Sequence, residues 1–219
     1  MEPIKVVIAD DQALLREALT VILEKSSDFK VVGTAADGLE VLEICEKTKP
    51  DLVLMDIRMP QYDGIYATQQ LKLRYPGIKV LILSTFDDDA SVYGAIKHGA
   101  SGYLLKDIEP QKLREEIKRV MAGGAVLHQD VVATVVQQLA KHARSEDEHA
   151  DLTGRERTII NMVVKGKNNR EIADELHLSE GTVKNMLSTI YARLNVADRT
   201  QLVVYAIQNH LVKMDAAQQ

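Results

Sequence analysis

Five polar residues stand where apolar runs stop. Asp10 and Asp11 follow "IKVVIA", Asp56 follows "DLVLM", Ser84 closes "KVLILS", and Lys106 closes "GYLLK". Adjacent carboxylates repel. Two unit charges about 4 Å apart cost on the order of 4 kcal/mol at a surface-like dielectric. That is a large share of the roughly 5–15 kcal/mol that keeps a domain folded. A bound divalent cation reverses the sign, and an all-oxygen, watery site with few carboxylates suits Mg2+. Adding an ammonium and a hydroxyl turns the cluster into a site for a phosphoryl group. The cations neutralise the phosphoryl oxygens while Asp56 attacks phosphorus. The product is an aspartyl phosphate, and catalysis of this kind is mostly positioning and charge neutralisation.

Such convergence needs a scaffold that brings strand ends to one rim. The runs 4–9, 29–35, 51–55, 79–84 and 102–106 are short and rich in Val, Ile and Leu, as strands buried on both faces are. Helical stretches fall between and after them, near 12–25, 37–48, 63–74, 88–98 and 110–121. Five βα repeats predict an α/β doubly wound five-stranded parallel sheet, order 2-1-3-4-5. In that order the first and third strands are neighbours at the switch point, so their terminal carboxylates meet in the crevice beyond the strand ends. Asp87, Asp88 and Asp89 are read as a helix start, where carboxylates suit the dipole, and not as a second metal site. Pro60, Gly64 and Gly99 are read as turn residues.

Composition sets the bounds. The chain has 219 residues, 46% apolar and 27% charged, with net charge −5. This fits one large or two modest domains and is too apolar for disorder. No run approaches the roughly 20 apolar residues of a membrane helix. "MEPIKVVIADD" has no export-signal pattern, and a single cysteine, Cys45, sits at helical spacing from Val41 and Leu42. A cytoplasmic protein with a packed thiol is the expectation. Residues 1–123 carry net −4, 124–150 net −2, and 151–219 net +1. Overall charge therefore does not favour a nucleic-acid partner, and only the arrangement at the C-terminus can.

That C-terminal part shows helical periodicity alone. After a helical stretch near 129–142 and the charged run "RSEDEHAD", four helices fit near 154–164, 169–176, 180–194 and 199–209. Thr153 with Glu156 makes a capping box, and Ser179 and Asp198 are N-cap candidates. In the third helix Gly181, Lys184, Asn185 and Ser188 share one face, while Val183, Leu187, Ile190, Tyr191 and Leu194 share another. Ile172, Ala173 and Leu176 point the preceding helix inward. The pair forms a helix-turn-helix whose second member fits a DNA major groove. The last helix carries Leu202, Val203, Ala206 and Ile207, which serve either a dimer contact or their own core.

At these positions the sequence resembles a known family. "ADD", "LMDIRMPQYDG", "LST" and "GASGYLLKD" are similar to the receiver domain of bacterial two-component response regulators, over about residues 1–123. "LTGRE", "GKNNREIADELHLSEGTVKN" and "DRTQL" resemble the LuxR-type DNA-binding domain over about 151–212. Together they match the NarL/FixJ class. The resemblance implies a receiver at 1–123, a linker at 124–151 and a DNA-binding domain at 152–219. It implies Asp56 as phosphoacceptor, Asp11 as a direct Mg2+ ligand, Asp10 acting through a water, and Arg58 lending its backbone carbonyl. Ser84 becomes the switch hydroxyl, with Thr85 a lesser candidate. Tyr103 becomes either the switch aromatic or a core residue. Thr182, Lys184, Asn185 and Ser188 would face DNA. Lys165, Lys167 and Arg170 would touch phosphates or form a solvated basic loop. Thr158, Met186 and Ser188 depart from residues common in the family, which leaves the operator sequence open.

The function expected is a bacterial transcription regulator switched by phosphorylation. A sensor histidine kinase supplies the phosphoryl group to Asp56, and the protein then forms a homodimer on a double-stranded DNA operator. Chemistry beyond self-catalysed phosphotransfer and slow autodephosphorylation is not expected. Two rivals remain: a phosphate-independent dimeric DNA-binding regulator and an aspartyl-phosphate phosphatase. The second is disfavoured because Arg58, not an acid, stands two residues after Asp56.

Overall fold

The computed structural model describes residues 2–85, 89–124, 126–127, 152–209 and 211–212. The helix expected near 129–142, and Asp87 and Asp88, lie outside the described residues. The N-terminal domain alternates β1 (Ile4–Ala9), α1 (Ala13–Glu24), β2 (Phe29–Ala35), α2 (Gly38–Thr48), β3 (Leu52–Met55), α3 (Gly64–Arg74), β4 (Lys79–Ser84), α4 (Asp89–Lys97), β5 (Gly102–Leu105), α5 (Pro110–Met121) and β6 (Val126–Leu127). All strand pairings are parallel, in the order β2-β1-β3-β4-β5-β6.

The five-stranded core of the sheet has the expected order. The two-residue β6 is an addition, placing Val126 beside Gly102. It forms because the chain reverses directly after α5. Gly123 takes φ +81, and the Gly124 amide donates to the Arg119 carbonyl at 2.8 Å, while Val126 and Leu127 lie alongside β5.

Strand side chains alternate between two cores, as a period of two requires. Val7, Val53, Val80, Ile82 and Tyr103 pack with α2, α3 and α4 through residues such as Val41, Cys45, Leu71 and Ile96. Val6, Ile8, Leu54, Leu81 and Leu104 pack with α1 and α5 through Leu19, Leu23, Leu113 and Ile117. Cys45 is fully buried, and burial pushes its thiol up to about 12, so it is a packing residue.

The second domain consists of α6 (Gly154–Val164), α7 (Asn169–Leu176), α8 (Glu180–Arg193) and α9 (Arg199–Gln208). Thr153 and Glu156 form the reciprocal capping box, and Ser179 and Asp198 accept from the Thr182 and Gln201 amides. One core unites Ile159, Val163, Ile172, Val183, Leu187, Ile190 and Leu202. No described helix is long and apolar enough to cross a membrane.

Candidate functional site

The parallel register carries the three acids to one rim. β1 and β3 pair Ala9 with Met55, so the next residues, Asp10 and Asp56, emerge side by side. The Asp56 amide donates to the Ala9 carbonyl at 2.8 Å, extending the ladder by one bond. Carboxylate oxygens of Asp10, Asp11 and Asp56 all lie within 4.8 Å of one another; Asp10 and Asp56 are buried and Asp11 is exposed. Lys106, one residue past β5, reaches across to both buried acids. Its Nζ is 2.8 Å from Asp10 Oδ2 and 2.9 Å from Asp56 Oδ2.

On each buried acid the second oxygen is held by a local bond. Asp10 Oδ1 accepts from the Gln12 amide at 2.9 Å, and Asp56 Oδ1 accepts from its neighbour Ile57 at 2.8 Å. Burial pushes the Asp56 carboxyl above the usual carboxylate range, against the pull of Lys106. For Lys106 burial acts downward, but hydrogen bonds to Asp10 and Asp56 prevail and hold the ammonium above its ordinary value. The structure therefore keeps a charged lysine against the Asp56 carboxylate.

Ser84 ends β4 at the same rim and is buried. Its Oγ donates to the Thr85 carbonyl at 3.3 Å, and its carbonyl accepts the Lys106 amide at 2.9 Å. Thr85 is exposed. Tyr103 is only 2% exposed and packs in the core between β5 and α4, an inward position. Arg58 lies in the β3–α3 loop with an exposed side chain. Sequence reasoning missed Arg16, whose guanidinium donates to the Asp10 carbonyl at 2.6 Å and the Asp11 carbonyl at 3.1 Å, clamping the loop that presents both acids. It also undervalued Gly64. A Cβ there would drive into the Asp56 carbonyl oxygen.

In the second domain Thr182, Lys184, Asn185 and Ser188 are exposed on one face of α8, opposite buried Val183 and Leu187. Lys165 and Arg170 are exposed. Lys167 ion-pairs with Glu175, which ties up its ammonium. Of the two alternatives for the last helix, the structure shows core packing. Leu202, Val203 and Ala206 are buried in their own domain's core, and Ile207 packs against it. The other face of α9 meets the N-terminal domain. Thr200 Oγ1 donates to the Ser101 carbonyl at 2.9 Å, Gln201 Nε2 donates to the Lys97 carbonyl at 3.1 Å, and Val204 joins the α2–α4 core. Arg119 adds a bond to the Gly166 carbonyl at 2.6 Å. Lys184 and Ser188 consequently face a cleft whose other wall is the N-terminal domain.

A doubly wound sheet with three acids and a lysine at its switch point, followed by a helix-turn-helix, defines a receiver joined to a DNA-binding unit. Comparison with known proteins agrees. Residues 6–118 match the response regulator receiver domain, and residues 150–206 match the bacterial regulatory proteins of the luxR family. The chain belongs to the response regulators with a LuxR-type helix-turn-helix. It is 39% identical to the transcriptional regulatory protein DegU of Brevibacillus brevis, over 96% of both chains. It is 38% identical to the transcriptional regulatory protein LnrK of Bacillus subtilis, over 94% of this chain and 97% of that one. The crystal structure of the response regulator ChrA, from a heme-sensing two-component system, matches at 34% identity. It covers 97% of this chain and all of that one, with TM-score 0.54.

Proposed function

We propose that residues 1–123 accept a phosphoryl group on Asp56 from a histidine kinase, and that this frees the DNA-binding domain, residues 152–219, carried on the linker 124–151. The observation that carries this reading is the Lys106 ammonium held between Asp10 and Asp56 beside Asp11. The three carboxylates are an all-oxygen donor set that fits Mg2+; Asp11, Asp56 and the Arg58 carbonyl would hold it, with Asp10 acting through a water. When bound, the metal adds neutralising charge at the phosphoryl oxygens. Asp56 forms the new O–P bond as the P–N bond to the donor imidazole breaks, and the leaving nitrogen keeps the electron pair and takes up a proton. Lys106 balances the charge that accumulates on the phosphoryl oxygens. Ser84 then turns its hydroxyl from the Thr85 carbonyl towards them.

The unphosphorylated arrangement withholds DNA contact. Lys184 and Ser188 face the N-terminal domain, and α9 is pinned to the α4–β5 corner. Release exposes Thr182, Lys184, Asn185 and Ser188 to the major groove, with Lys165 and Arg170 near phosphates, and permits a homodimer on two half-sites about one helical turn apart. Cytoplasmic placement follows from the partners this requires. The test is phosphoryl labelling of wild type and Asp56→Asn from a phosphohistidine donor, followed by selection of DNA from random oligonucleotides. A hydroxylamine-sensitive label and stimulated DNA binding are expected in wild type only. Labelling of Asp56→Asn, or equal DNA binding with and without donor, refutes the reading.

A further inference from the structure

A cleft of about 810 Å3 opens between the domains, away from the acidic crevice. Five cationic side chains line it: Lys72, Lys79 and Lys97 from the N-terminal domain, and Lys184 and Arg199 from the C-terminal one. Two carboxylates, Glu180 and Asp198, face them. That local surplus belongs to a chain of net charge −5. Among the described residues no carboxylate forms an ion pair with Lys79, Lys97 or Lys184.

The two deepest cations donate to neutral oxygens and form no ion pair within salt-bridge distance, although the Asp198 carboxylate acts on Lys72. Lys72 Nζ donates to the Ile78 carbonyl at 2.9 Å and to Ser101 Oγ at 3.3 Å. Arg199 is 7% exposed and donates through its Nη atoms to Asn169 Oδ1 at 3.0 Å and to the Lys167 carbonyl, but its buried Nε has no partner. A buried donor without an acceptor costs about 1–3 kcal/mol. Arg119 presses on Arg199, while Tyr191 and Glu171 act in the opposite sense.

We infer that this interdomain cleft binds a small phosphate-bearing anion of nucleotide size, held by Lys72, Lys79, Lys97, Lys184 and Arg199. Guanidinium and ammonium donors converging from two walls suit the many acceptor oxygens of a phosphate ester or polyphosphate. The volume falls within the roughly 300–1,000 Å3 of small-ligand sites. It is far too small for a duplex, and the buried Arg199 is beyond the reach of one. The ligand bridges the two domains. It also occupies the cleft faced by Lys184 and Ser188, so it holds the DNA-binding face shut. Only this last consequence rests on the proposed DNA-binding role.

The test is isothermal titration of the full chain with pyrophosphate and with ATP, in metal-free buffer so that the acidic crevice takes no part. Saturable binding of one probe per chain is expected, weakened at least tenfold in Lys79→Ala/Lys97→Ala. Lys97→Ala alone changes an exposed residue in the last turn of α4 and should weaken binding several-fold with an unchanged melting temperature. Absence of saturable binding for both probes, or equal binding in wild type and both variants, overturns the inference. Asp56 labelling is read in parallel. Its loss with binding intact counts against the phosphoacceptor reading and leaves the cleft site standing.

Discussion

Replacing Lys106 with Met isolates what the ammonium does at the acidic rim. In wild type it sits 2.8 Å and 2.9 Å from two carboxylates whose side chains are 3% and 5% exposed. Met keeps most of the volume and removes the charge, leaving acidic oxygens within 4.8 Å of one another. One such pair at that limit repels by about 3.5 kcal/mol at an effective dielectric of 20. Breaking a buried ion pair from one side costs about 3–5 kcal/mol. The crevice has a relief route, since Asp56 already has its carboxyl pushed up by burial and can take a proton. Between the ordinary carboxylate value and the higher folded value, the folded chain binds more protons than the unfolded one. Stability therefore falls as pH rises through that window, and loss of Lys106 extends the window upward. Urea unfolding in metal-free buffer should show Lys106→Met less stable by about 3 kcal/mol near pH 7.5, with a smaller deficit near pH 5. A deficit under about 1 kcal/mol at the higher pH, the worth of an exposed pair, or an equal deficit at both, would refute the argument.

Three other outcomes follow from the geometry. Gly64→Ala should cost about 1–3 kcal/mol by overpacking against the Asp56 carbonyl, and should slow phosphoryl labelling; a variant with wild-type melting and labelling removes that role for the close approach. Thr200→Val with Gln201→Ala removes two interdomain hydrogen bonds, each worth about 0.5–1.5 kcal/mol, so the unphosphorylated protein should bind DNA roughly tenfold more tightly by fluorescence anisotropy. Unaltered affinity would show that docking does not restrain α8. Burial lowers the Lys72 ammonium from 10.5 to about 8. Below about 8 both states hold the proton and the burial cost stands in full. Between about 8 and 10.5 only the unfolded chain holds it, so stability rises with pH. Wild type should gain on Lys72→Met across that range in urea titrations, and a constant difference would contradict this.

The rim was legible because four of the five long strands end in a polar residue and their near-continuous apolar runs predict a buried parallel sheet. Asp10, Asp56, Ser84 and Lys106 need only the strand order to be placed together. Helix starts were legible for an equally local reason: Thr153, Ser179 and Asp198 each cap the amide two or three residues on. Contacts between distant residues left no such trace. Arg16 reads as one more charge on α1, and nothing in its spacing says that it clamps the Asp10 and Asp11 carbonyls. The apolar residues of α9 show the period of a helix with two apolar faces. Only the packing separates Leu202 and Ala206, which fill their own core, from Val204, which fills the other domain's.

That packing gives β5 two duties. The strand starts one residue after Ser101 and ends one residue before Lys106. Ser101 offers its carbonyl to Thr200 of the DNA-binding domain, and Lys106 holds the Asp56 carboxylate. The ends are about 16 Å apart at the rise of an extended chain. Between them Tyr103 is buried in the core beside Ile82. The Lys106 amide is bonded to the Ser84 carbonyl and the Ser101 amide to the Val80 carbonyl, so both ends are anchored to β4. A single four-residue strand thus runs from the acidic rim to the contact with the second domain.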